Sequence, residues 1–182
     1  MRIARISSYC LAAVLACLWM TAPLVRAQSQ DNPKVTRLLE QAGGEAAQVA
    51  RDADEMQGLV LSNASWLSHA EKLDVMRDHV NSLGKLARQL EDSRNSASPW
   101  QQQAIDRMLP LLRDLATNTT AAINHLNKNK ERPTTGNYKE YLNENAETAR
   151  ELSNTISNFV KYGETRAKME KLEQKIEVAS SE

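Results

Sequence analysis

From Val35 onward the apolar residues of this chain recur at intervals of three and four, with charged and amide side chains filling the positions between them. Val35, Leu38, Ala42, Ala46, Val49, Ala53, Met56 and Val60 form the first such series. Leu67, Ala70, Leu73, Met76, Val80, Leu83, Ala87 and Leu90 form the second. The third, Ile105, Met108, Leu112, Leu115, Thr119, Ala122 and Leu126, alternates without a break. The fourth is Tyr138, Leu142, Asn145, Ala149, Leu152, Ile156, Phe159 and Gly163. A period of about 3.6 residues sets each series on one face of an α-helix. After Gln28 no stretch alternates apolar and polar residues in the manner of a strand, so the pattern predicts an all-α protein.

Start and stop signals divide the four series. Asn32 before Pro33 and Ser98 before Pro99 each combine a capping side chain with proline at the first helical position. Asp92-Ser93-Arg94-Asn95-Ser96 and Glu131-Arg132-Pro133-Thr134-Thr135-Gly136 read as loops. The joint Ser62-Asn63-Ala64-Ser65 has neither glycine nor proline. A turn is expected there all the same, because globular helices average about 12 residues and an unbroken helix would run to about 60. Pro110 lies opposite the third series, where water can repair a lost hydrogen bond, so a kink is expected and not a break.

The resulting helices, 34–61, 66–93, 99–129 and 137–164, are near-equal, each roughly 42 Å long at about 1.5 Å per residue. Matched helices joined by short loops predict an up-and-down antiparallel four-helix bundle over residues 28–164. Residues 165–182 follow as a charged helical C-terminal extension with a thin apolar stripe of Met169, Leu172 and Ile176. An isolated helix of that length is marginal in water, so the segment reads either as a solvated tail or as a short coiled-coil docking segment. Gly43-Gly44, beside Ala42, Ala46 and Ala47, is expected to admit a neighbouring helix closely.

The first 27 residues have the layout of a secretory signal peptide. Arg2 and Arg5 precede an apolar run from Tyr9 to Met20, and Val25-Arg26-Ala27 offers small residues for cleavage before Gln28. The run is short for a membrane span of roughly 20 residues, so no stable span is expected after processing. An exported product, periplasmic or secreted, follows. A lipoprotein anchored at Cys17 is the alternative, since Val14-Leu15-Ala16-Cys17 loosely resembles a lipobox, although Leu18-Trp19-Met20 after the cysteine is apolar where a polar linker belongs. A receptor sensing domain with an uncleaved leader is a further alternative. Cys10 and Cys17 are the only cysteines and both precede Gln28, so the processed chain would have neither disulfide nor thiolate chemistry. The chain balances 23 basic against 23 acidic residues, and removal of Arg2, Arg5 and Arg26 leaves a slightly acidic product. Nothing in that balance favours nucleic acid or an anionic membrane.

Chemistry-bearing motifs are scarce. None of His69, His79 and His125 belongs to a Glu-x-x-His or His-Glu-x-x-His pattern, and no phosphate-cradling glycine loop is present. No serine or threonine has a spaced histidine and aspartate to activate it, so no catalytic role and no cofactor is assigned. Asp52, Asp54 and Glu55 read as an ordinary charged face. Asn118-Thr119-Thr120 is a glycosylation sequon only in a eukaryotic host, and it falls within a helix. One coincidence of register remains: folded antiparallel about the loop at Ser96, His69 and His125 come to the same height, at the end that also holds Trp66, Tyr138 and Tyr141. Glu140 and Glu144 reflect to the same level. His69, His125 and Glu144 are therefore the candidate metal ligands, with Met56 a further ligand were haem bound. Both histidines flank their apolar series, which predicts rim positions with one nitrogen in water. Trp66 and Trp100, each in a first helical turn, are expected to seal the bundle ends.

The expectation is a non-enzymatic exported bundle that binds another protein, or itself, through its C-terminal helix. The alternative is a periplasmic metal- or haem-binding bundle, whose only warrant is architecture.

Overall fold

A computed structural model describes residues 30–62 and 64–180, and the leader proposed over 1–27 lies outside them. Four helices account for nearly all of the described chain: α1, Pro33–Leu59; α2, Trp66–Ser93; α3, Pro99–Lys128; and α4, Tyr138–Ser180. A single 3-10 turn, Arg94–Ser96, links α2 to α3, and no strand occurs among the described residues. The protein is all-α.

Each boundary has a local cause. At the start of α1 the Asn32 Oδ1 accepts from the N–H groups of Lys34 and Val35 at 2.9 and 3.4 Å, satisfying amides that have no partner within the helix. At the start of α2 the Ser65 Oγ accepts from the Ser68 N–H at 3.2 Å, so the joint without glycine or proline is a true turn. Pro110 is exposed, and α3 passes through it without interruption.

The helices pack in a ring, α1 on α2, α2 on α3, α3 on α4 and α4 on α1. Hydrogen bonds at both ends report the direction of each helix. Asn32 before α1 meets Gln101 in the first turn of α3, and His69 in the first turn of α2 meets Tyr138 at the start of α4. Diagonal helices thus run parallel and adjacent ones antiparallel, the up-and-down arrangement. The core holds the four series with few exceptions. Val35, Ala46, Val49, Ala53, Met76, Leu83, Ile105, Met108, Leu115, Ala122, Leu142 and Leu152 are fully buried. Thr119 joins them because its hydroxyl donates to the Leu115 carbonyl at 2.7 Å. Leu67 departs from its series and is 57% exposed, because the inward position of that turn is taken by His69.

The end where α1 and α3 begin is closed by Gln101. Its buried amide donates to the Asn32 carbonyl and the Thr36 hydroxyl, both at 3.0 Å, and accepts from the N–H groups of Asn32 and Ser98 at 3.0 and 2.9 Å. All of its bonding capacity is used, which makes a buried polar side chain a rigid tie between two helix starts. Beside it the Trp100 indole N–H donates to Asp31 Oδ1 at 2.7 Å, and the ring lies against Gly163 of α4. A Cβ at Gly163 would come within 2.6 Å of the indole. Gly163 is therefore the close-approach glycine of this fold. Gly43 and Gly44 are not: a Cβ at Gly43 would make an ordinary 3.5 Å contact with Ile156, and one at Gly44 would meet nothing.

α4 does not stop at Gly163. It continues as one helix to Ser180, so the bundle helix and the charged extension are one element. From Glu164 to Ser180 every residue except Arg166 is exposed.

Two substitutions separate helix propensity from packing. Gly84→Ala in α2 meets no neighbour and should raise stability by about 0.5–1 kcal/mol. Gly163→Ala gains a similar propensity term but must displace a hydrogen-bonded indole, and over-packing costs about 1–3 kcal/mol, so a net loss is expected. Urea unfolding of the two variants should move in opposite directions. Gln101→Ala leaves the buried-end N–H groups of Asn32 and Ser98 without their acceptor and should cost roughly 2–4 kcal/mol in the same measurement.

Candidate functional site

His69 and His125 stand at one height, and Tyr138 is where they meet. Tyr138 opens α4, is fully buried, and contacts both imidazoles. His69 approaches it edge-on, with ring centroids 5.4 Å apart, and its Nδ1 lies 3.2 Å from the phenol oxygen. His125 stacks on the same ring at 5.6 Å and meets Tyr141 edge-on at 6.3 Å. The loop before α4 makes room for this: Gly136 has φ of 59°, and a Cβ there would lie 3.3 Å from the His125 ring. Trp66 seals the flank by donating its indole N–H to the Leu126 carbonyl at 3.0 Å, with Lys130 above its ring.

His69 is not the wet rim residue its flanking position predicts. It is fully buried, and its Nε2 has no protein partner. The physical reason is the start of α2: with Trp66 turned toward α3, the inward position one turn on belongs to residue 69, and Leu67 is left outside. His125 is only partly covered, yet its Nε2 is also shut off from water and without a protein partner.

The candidate ligand set does not assemble as a trio. Glu144 lies on the exposed face of α4, while Met56 is buried in the core. Among the described residues no group of three or more His, Cys, Asp or Glu side chains is placed to hold a metal ion. What remains at this end is a neutral pair. Burial pushes the His69 imidazole below its ordinary value of 6.5 and holds the Tyr138 phenol far above its own. A protonated phenol against a neutral imidazole is one satisfied hydrogen bond in either direction, and Tyr138 supplies no anion for chemistry.

A second polar cluster escaped the sequence reading. Asp52, grouped there with an ordinary charged face, is buried in α1; its Oδ2 lies 2.5 Å from His79 Nδ1 in α2, and its Oδ1 accepts from the Gln48 amide at 3.0 Å. Asp52 sits beside Ala53 in the inward series, and that adjacency was the only available signal. An aspartate orienting an imidazole supplies two members of a nucleophilic triad, but the Gln48 amide bonds the aspartate and does not stand at the nucleophile's position beside the other imidazole nitrogen. The cluster fastens α1 to α2. Asn145 of α4 is buried with neither amide atom bonded to protein, a polar interruption of the fourth series that the sequence displayed openly.

An apolar stripe lies uncovered on the outer side of α4. Met169, Leu172 and Ile176 are 56%, 59% and 68% exposed at intervals of three and four. Leu172 lies nine residues, about two and a half helical turns, beyond Gly163, which places it on the side of the helix opposite the bundle core. The stripe starts at Tyr162, half exposed and edge-on to Trp100, where a shallow groove between α3 and α4 is lined by Trp100, Arg107, Phe159 and Tyr162. No helix among the described residues is long and apolar enough to cross a membrane.

Compared with known proteins, the chain matches no family model, no curated protein and no solved structure.

The His69 environment has a pH signature. Its neutral form is favoured by folding, so between pH 6.5 and its lower folded value the unfolded chain binds the extra proton, and stability falls as the pH drops through that window. Thermal unfolding measured from pH 7.5 down to 5 should show this loss, and His69→Gln should flatten it; an unchanged slope would show that His69 carries none of it.

Proposed function

We propose that this protein is a non-enzymatic, exported helical-bundle module that acts by helix-to-helix docking along the outer face of α4, against another protein or a second copy of itself. The observation that carries this reading is the stripe of Met169, Leu172 and Ile176, more than half exposed on a helix whose inward face ends at Gly163. Apolar side chains at a three-four spacing on a rigid helix are what a partner helix recognises. The bundle then serves as a scaffold that holds the helix start, while the extension carries the contact. Export rests on the leader pattern of residues 1–27 and is checked by determining whether the extracytoplasmic protein begins at Gln28.

The metal- or haem-binding alternative draws on the two imidazole Nε2 atoms without protein partners, and it needs a third ligand that Glu144 does not supply from its exposed position. Metal analysis and a visible spectrum of protein purified from its native compartment decide it, a colourless and metal-free product ending that reading.

A photo-crosslinking residue placed at Leu172 in the producing cells tests the docking reading. Covalent adducts are expected from Leu172 and not from Gln174, which lies close to the Gly163 line on the other side of the helix. Absence of any adduct from Leu172 and Met169 overturns the reading.

A further inference from the structure

We infer that the partner helix is the same extension of a second copy, and that the two pair in parallel as a short coiled coil running from Tyr162 to Ala179. The inference rests on the docking reading above and names its occupant.

The heptad assignment follows from the exposed stripe. With Met169 and Ile176 at positions a and Leu172 at d, Tyr162 falls at a and Thr165 and Ala179 at d. Isoleucine at a with leucine at d is the arrangement that favours two parallel strands. The charges flanking this seam choose the orientation. Lys161, Lys168 and Lys175 occupy all three g positions, and Arg166, Glu173 and Ser180 occupy e. In a parallel pair each g faces the following e of the other strand, so Lys168 meets Glu173 of the second copy, twice by symmetry, and Lys175 meets the neutral Ser180. In an antiparallel pair g faces g, and the three lysines of one strand would confront the three of the other. The one like-charged meeting in the parallel pair, Lys161 with Arg166, is blunted because Arg166 is already bonded to Glu170 at 3.3 Å within its own helix.

The geometry of the fold permits this pairing. The stripe points away from the bundle core, so the extension cannot cover it by packing on its own four helices. The outer surface of α4 in line with it carries Glu151, Asn154, Asn158 and Lys161, all exposed and polar. Two bundles can therefore stand on opposite sides of a shared axis without burying an apolar mismatch. Opposite charges alternate along the extension, so two copies do not repel as wholes.

The chain from Gln28 to Glu182 contains every described helix and no cysteine, so Ile176→Cys in it introduces a single thiol. Parallel pairing brings the two residues at 176 face to face at position a, within the Cα separation of about 4.4–6.8 Å that a disulfide spans. Under mild oxidation Ile176→Cys is expected to give covalent dimers and Gln174→Cys, on the outside of the pair, far fewer. Light scattering of the unsubstituted chain, at a concentration on the order of 100 μM because short helices associate weakly, should give twice the monomer mass. Leu172→Glu should return the monomer mass with the circular dichroism of the bundle retained. A monomer at that concentration, a dimer indifferent to Leu172→Glu, or a dimer in which Ile176→Cys links no faster than Gln174→Cys overturns the inference. If Leu172 then photo-crosslinks only to a different protein, the docking reading stands without the second copy; if it crosslinks to nothing, both fail.

Discussion

Each of the four helices carries one inward seam, and each needs the other three to bury it. A seam of valine, leucine, methionine and alanine at three-four spacing stabilises nothing in isolation, because a helix of this length is marginal in water and the apolar surface is still wet. Closing the ring removes water from all four seams together. Helix ends must then coincide, and the two ends of this bundle are where its polar side chains are concentrated: Gln101, Asn32 and Trp100 at one, His69, Tyr138 and Trp66 at the other. Those groups are the means by which chain reversals are sealed without leaving buried amides and carbonyls unbonded.

This explains why polar residues that look chemically suggestive are structural here. His69 and Tyr138 bond to each other and are both held neutral by burial. Asp52 and His79 fasten adjacent helices, with the Gln48 amide bonded to the other oxygen of the same carboxylate. The exposed apolar stripe of Met169, Leu172 and Ile176 lies on the back of α4, away from these closures. Gly163, against the indole of Trp100, is the last buried residue of α4. Beyond it the helix continues because its residues favour helix and its charges alternate, while its apolar residues have moved to the opposite side.

That change of side occurs within one continuous helix. Up to Gly163 the inward series follows the bundle; after it the stripe of Met169, Leu172 and Ile176 is offset by about half a turn. In the proposed parallel pair, lysine at every g position gives that stripe an orientation as well as a location.

The sequence by itself determined the helix class, the four seams and most of the helix limits, because periodicity and capping act within a few residues of chain and need no partner. It also set the height at which His69 and His125 stand, since length along a helix converts directly to distance. What only the tertiary structure decided was the azimuth of side chains at the seam edges. One helical position turned His69 inward and Leu67 outward, buried Asp52 but not Asp54, and left Glu144 in solvent beside the buried Asn145. The close approach at Gly163 in place of Gly43-Gly44 was likewise invisible in the chain, because it depends on where the indole of another helix comes to rest. A residue at the margin of a seam is core or surface according to how its neighbours are rotated, and rotation is fixed only when all four helices have packed.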